Sequence, residues 1–138
     1  LAALPRGARI GLLASPAVRL SGAYDAGFAA AGLTAVWPQD DAPVLALIRV
    51  AKSGATGGDE QAALRALARD LSPRCDHILI ACTELSLLTG ALPPTGWTDS
   101  LDCLVAAVVA FARAGVAPTG ARQSGTSGSA AGRGRGSR

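Results

Sequence analysis

Ile78-Leu79-Ile80-Ala81 is a run of four apolar residues that stops abruptly at Cys82, Thr83 and Glu84. A short, wholly apolar run bounded by polar residues predicts a strand buried on both faces, as in parallel sheets covered by helices. Ligands of such sheets sit just beyond the carboxyl ends of strands. Cys82 is therefore placed where chemistry is expected.

The rest of the chain alternates in a way that fits this strand. Ile10-Gly11-Leu12-Leu13-Ala14 is a second short apolar run, stopped by Ser15-Pro16 because proline cannot continue a ladder. Ser21 is read as the start of one helix running to about Ala31, with Tyr24, Phe28 and Ala31 on a stripe and Gly32 as its stop. A strand at Thr34 to Trp37 ends at Pro38, and Asp40 or Asp41 caps a helix to Lys52 whose inner side is Val44, Leu45, Leu47, Ile48 and Ala51. Asp59 and Glu60 suit the first turn of a further helix that turns Ala63, Leu64, Leu67, Ala68 and Leu71 inward. After the strand from Asp76 to Ala81, the loop Pro93-Pro94-Thr95-Gly96 leads to a short extended piece at Trp97-Thr98. The last helix runs from Leu101 to about Ala114, capped by Asp99 or Ser100 and ended by Gly115 and Pro118. This order predicts an α/β fold, a parallel sheet with helices on both faces. Ser15 and the Cys82 to Glu84 segment should then converge on one edge of it.

At 138 residues and 13.7 kDa the chain suffices for one domain with a real core. It opens on Leu1 and contains no Met, and is read as part of a longer chain. The net charge of +3 comes from the end: residues 119–138 hold Arg122, Arg133, Arg135 and Arg138 and no acid, leaving nine bases against ten acids elsewhere. Residues 1–118 are therefore read as the folded lobe, and 119–138 as a disordered Gly/Ser/Arg-rich tail. Arg-Gly tails can contact RNA, but this one lacks aromatic residues for stacking, so nucleic acid is not the expected partner. Cys75, Cys82 and Cys103 form neither a metal-type spacing nor an even set for disulfides, which points to a reducing, cytoplasmic setting and to no metal. No stretch approaches the length of a membrane span.

A thiolate is the reactive form of cysteine, and backbone N–H groups in the turn after a strand stabilise it, so the Cys82 pKa is expected to be lowered. Cys75 and Cys103 are read as space-filling thiols. His77 lies at the opposite end of its strand, and a surface role is expected for it.

Ala81-Cys82-Thr83-Glu84-Leu85-Ser86-Leu87-Leu88 resembles the second catalytic-cysteine motif of the aspartate/glutamate racemase superfamily, and the Glu after Cys-Thr resembles its aspartate-racemase branch. Other segments follow in order. Ile10 to Val18 is similar to the opening strand and loop of that family's second lobe, and Gly22-Ala23-Tyr24 to the Gly-x-Tyr/Phe that follows. Val50-Ala51-Lys52-Ser53-Gly54 is similar to a segment whose lysine binds a substrate carboxylate, and Thr98-Asp99-Ser100 to the closing Asp-Thr/Ser before the last helix.

The resemblance implies a cofactor-independent racemase in which two similar α/β lobes each contribute one cysteine, with the amino acid between them. One thiolate removes the α-proton and the opposing thiol returns a proton from the other face. Cys82 would be one of that pair, with Ser15, Lys52, Thr83 and Glu84 as substrate-binding side chains. The implied partners are a small acidic amino acid, the N-terminal lobe that this sequence lacks, and a second copy of the chain in a homo-oligomer. Neither Cys75 nor Cys103 sits in the family's first cysteine motif, so the chain alone is expected to be inactive. Two other readings stay open: a maleate-isomerase-like or decarboxylase-like enzyme of the same superfamily, and a non-catalytic binding or reactive-thiol module. A lost lobe would also leave Leu85, Leu87, Leu88 and parts of the last helix without cover, inviting self-association.

Overall fold

The computed structural model describes residues 4–115; the expected tail lies outside them. Four strands, β1 (Arg9–Leu13), β2 (Thr34–Val36), β3 (His77–Ile80) and β4 (Trp97–Asp99), form one parallel sheet in the order β2-β1-β3-β4. Six helices connect and follow them: α1 (Pro16–Ser21), α2 (Asp25–Ala31), α3 (Ala42–Lys52), α4 (Gly58–Leu71), α5 (Thr83–Ser86) and α6 (Ser100–Gly115).

Strand alternation sorts the core into two layers. On one face Leu13, Ile78 and Ile80 meet Val44, Leu47, Ile48 and Ala51 of α3 and Leu64, Ala68 and Leu71 of α4. On the other, Ile10, Leu12, Leu79 and Ala81 pack with Phe28 of α2, with Val18 and Tyr24 at the margin. The α3 and α4 stripes follow the helical period closely; only Leu45 and Leu67 stay half-buried, and Ala63 faces solvent.

The stretch expected as one helix from Ser21 to Ala31 is two. Pro16, suited to the first turn of a helix because its missing N–H is not needed there, starts α1. Gly22, at φ 63°, ends α1 in a left-handed turn that only glycine adopts without strain, and α2 begins three residues later. Leu85 and Leu88, expected without cover, are fully buried, because the short α5 turns them against the α3 layer; Leu87 alone of the three is exposed. Most of α6 is exposed, as expected of that helix. Cys103 sits on it in solvent and so does not fill space in the core.

Gly11 carries a packing constraint of its own. A Cβ there would lie 2.7 Å from Cys75 Sγ and 2.8 Å from Leu71 Cδ2, so the centre of β1 admits Cys75 and α4 only because it has no side chain.

Candidate active site

From β1 the chain moves to β2 on one side, then crosses back to place β3 on the other side of β1. The gap between β1 and β3 is thus a topological switch point, where helices depart to opposite faces and leave a crevice at the carboxyl ends of the strands. Leu13 and Ile80 are in register across this gap, and the Ala81 N–H donates to the Leu13 carbonyl at 2.9 Å. Ser15 and Cys82 therefore leave the sheet side by side.

Cys82 holds extended backbone (φ −150°, ψ 125°) at the entry to α5, and its carbonyl accepts the Leu85 and Ser86 N–H groups at 3.0 and 3.2 Å. Its half-buried thiol donates to Glu84 Oε2 at 3.1 Å, and the Thr83 hydroxyl donates to the same oxygen at 3.1 Å. Burial pushes the Cys82 thiol above its ordinary 9.0, and the hydrogen bond to Glu84 adds to the rise. The backbone N–H groups of Glu84 and Leu85 pull the other way, as expected from the sequence, but are outweighed. The resting form is the protonated thiol rather than the thiolate. Glu84 is held below the usual carboxylate range, first by the Cys82 hydrogen bond and then by its own backbone N–H and Thr83. The charge of Lys52 acts on it in the same direction.

Of the residues singled out in the sequence, Cys82, Thr83 and Glu84 thus form one hydrogen-bonded cluster. Lys52, exposed at the end of α3, reaches this cluster through its field only; α3 packs against α5. Ser15 follows β1 at the same end of the sheet, and its hydroxyl does not cap α1. His77 sits at the far end of β3 and bonds Thr98 Oγ1 at 2.8 Å; burial keeps its pKa low.

Sequence reasoning missed the support beneath the cluster. Asp99, the one buried charged side chain among the described residues, accepts from the Ser86 hydroxyl at 3.0 Å and from the Leu101 N–H at 2.8 Å. Ser86 Oγ also lies 3.4 Å from the Cys82 carbonyl. The capping role of Asp99 was readable; its bridge to α5 was not. The only available signal was Ser86 four residues after Cys82, the spacing at which a helical hydroxyl meets a backbone carbonyl. A groove of about 390 Å³ opens beside Thr83, bordered by Tyr24, Leu79, Ser100, Leu101 and Leu104. Among the described residues, no three His, Cys, Asp or Glu side chains gather into a group that could hold a metal.

A search of curated protein sequences returns no match. Among solved structures, the chain is similar to Picrophilus torridus aspartate racemase with a TM-score of 0.57 and 24% identity, covering 75% of this chain and 45% of that one. It therefore spans less than half the length of that protein, and the likeness is one of fold. The profile of the Asp/Glu/Hydantoin racemase family matches residues 1–111. With that match extending over most of its length, the chain belongs to the Asp/Glu/Hydantoin racemase family.

Proposed function

We propose that this chain is the C-terminal catalytic lobe of a cytoplasmic, cofactor-independent amino-acid racemase of the aspartate/glutamate type, and that Cys82 is one of its two bases. The observation that carries this reading is the Cys82 thiol, held 3.1 Å from Glu84 beside the switch point of a parallel sheet. A thiol kept protonated is the form needed by the group that returns a proton. An opposing thiolate on the missing lobe takes the α-proton. The Cys82 S–H bond then breaks as its proton passes to the α-carbon from the other face, leaving Cys82 as the thiolate that serves the reverse direction. Glu84 holds the S–H bond at rest and releases it as the thiol turns to the substrate, the Thr83 and Ser15 hydroxyls stand at the same end of the sheet, and Lys52 supplies a cation for an acidic substrate's carboxylate. The same protonated thiol argues against a reactive-thiol module, whose cysteine needs a lowered pKa.

One thiol cannot deliver and remove protons on both faces, so the chain alone is inactive. Incubated with L-aspartate or L-glutamate in deuterated water, it leaves the α-proton unexchanged; exchange at an enzymatic rate overturns the two-lobe requirement. In a complete chain with both lobes, Cys82→Ser lowers racemisation by about 10²- to 10⁴-fold, the usual worth of a positioned acid or base. Unchanged activity in that variant removes Cys82 from the mechanism.

A further inference from the structure

A separate cavity of about 190 Å³ lies on the α4 face of the sheet and shares no lining residue with the Cys82 cluster. Register fixes its place: Ile78 of β3 pairs with Trp97 at the start of β4, two residues before Ile80 and Asp99 end those strands. It therefore sits at the amino half of the β3–β4 pair, away from the crevice. Ala68 of α4 and Leu92 join Ile78 and Trp97 in an apolar wall, and the loop from Pro93 to Gly96 borders it. A dry apolar cavity of about 150 Å³ is enough to hold a benzene ring, so this one takes a single ring with a small substituent.

The charge at this cavity is of one sign. Arg65 and Arg69, one helical turn apart on α4, both line it, and no Asp or Glu does. The ion pairs among the described residues join Arg9, Arg19 and Arg74 to acids and leave these two guanidinium groups without a carboxylate. Arg69 lies in the last turn of α4, where the helix dipole favours a cation; Arg65, a turn earlier, gains less from that field. Ser72 and Trp97 turn their donors to backbone instead, the hydroxyl to the Arg69 carbonyl and the indole N–H to the Pro93 carbonyl. Arg65 Nε donates to the Ala91 carbonyl at 3.0 Å, which holds that guanidinium at the rim with its Nη donors left over. A guanidinium fork matches a carboxylate, and the apolar wall behind it matches a flat ring. We propose that this cavity binds a small aromatic carboxylate, its ring against Ile78, Leu92 and Trp97 and its charge on Arg65 and Arg69. The inference is independent of the chemistry at Cys82.

Titration of the 138-residue chain with benzoate, followed by heteronuclear NMR of its amide and indole N–H groups, tests it. Binding saturates with a Kd of about 1 mM or tighter, and the largest shifts fall on the Gly96 amide and the Trp97 indole. Benzyl alcohol, which keeps the ring without the charge, and acetate, which keeps the charge without the ring, each bind at least about tenfold more weakly. Arg69 is exposed and its side chain makes no hydrogen bond or ion pair among the described residues, so Arg69→Gln leaves the circular dichroism unchanged. That variant lowers benzoate affinity roughly three- to tenfold and leaves the affinity for benzyl alcohol as it was. Titration without saturation, shifts centred on Thr83 to Leu85, benzyl alcohol or acetate bound as tightly as benzoate, or benzoate binding indifferent to Arg69→Gln overturns the proposal.

Discussion

The two ends of the sheet are built from similar residues and arranged to opposite effect. At the amino end, Arg9 and Asp76 pair at 3.1 Å, and the Arg9 N–H also donates to Asp76 at 2.8 Å. There His77 closes on Thr98, and Cys75 is packed over Gly11 with its thiol 3.4 Å from the Leu71 carbonyl. The Arg9–Asp76 and His77–Thr98 pairs tie one strand to its neighbour, and Cys75 bonds the end of α4. At the carboxyl end, Glu84 gathers the Cys82 thiol and the Thr83 hydroxyl onto one oxygen, while Ser15 stands free of any capping bond. Both thiols are raised chiefly by burial, so a perturbed pKa does not separate them. The partner does: Cys75 bonds backbone and Cys82 bonds a carboxylate.

The largest effect expected from breaking either end belongs to Asp99. Asp99→Ala removes the acceptor of two hydrogen bonds inside a nearly dry site and costs about 3 kcal/mol in a urea unfolding curve. A change under about 0.5 kcal/mol would show that α5 needs no anchor. Next comes the amino-end packing contact, where Gly11→Ala costs about 2 kcal/mol through overpacking. Adding Cys75→Ala recovers part of this and leaves the clash with Leu71. A Cys75→Ala change that recovers nothing contradicts the packing role assigned to that thiol.

Smaller effects read the electrostatics. Glu84→Gln removes two of the causes that raise the Cys82 pKa, so alkylation of Cys82 near neutral pH speeds up severalfold, and its rate profile shifts to lower pH. In the native chain the folded thiol titrates above its ordinary 9.0, so folding retains a proton that the unfolded chain releases. The Cys82 contribution to stability is fully present below pH 9.0 and is lost as pH rises through the folded value. Smallest is Asp76→Asn, which trims a half-exposed ion pair. Its pKa is lowered by Arg9, so the contribution is present above the ordinary carboxylate value of 3.8 and fades as pH falls through the lowered one. A shift in the unfolding midpoint that persists in high salt would contradict its surface character.

Periodicity carried much of the fold. The α3 and α4 segments were legible because apolar residues there repeat at the helix period, and β1 and β3 because each is a short unbroken apolar run bounded by polar residues. What escaped was short. Neither α1 nor α5 is long enough to show a period, although Ser15-Pro16 did carry the signal for a helix start. The thiol's position was readable from the end of the apolar run. Its pKa direction was not, because the rise comes first from the burial that tertiary packing imposes on the thiol and then from Glu84 folding back onto Cys82, and no spacing rule reports either.

Asp99 grips α5 through Ser86 with the same oxygen that starts α6 through Leu101. One carboxylate thus joins the first turn of α6 to the turn that presents the Cys82 sulfur, and a displacement of either is carried to the other.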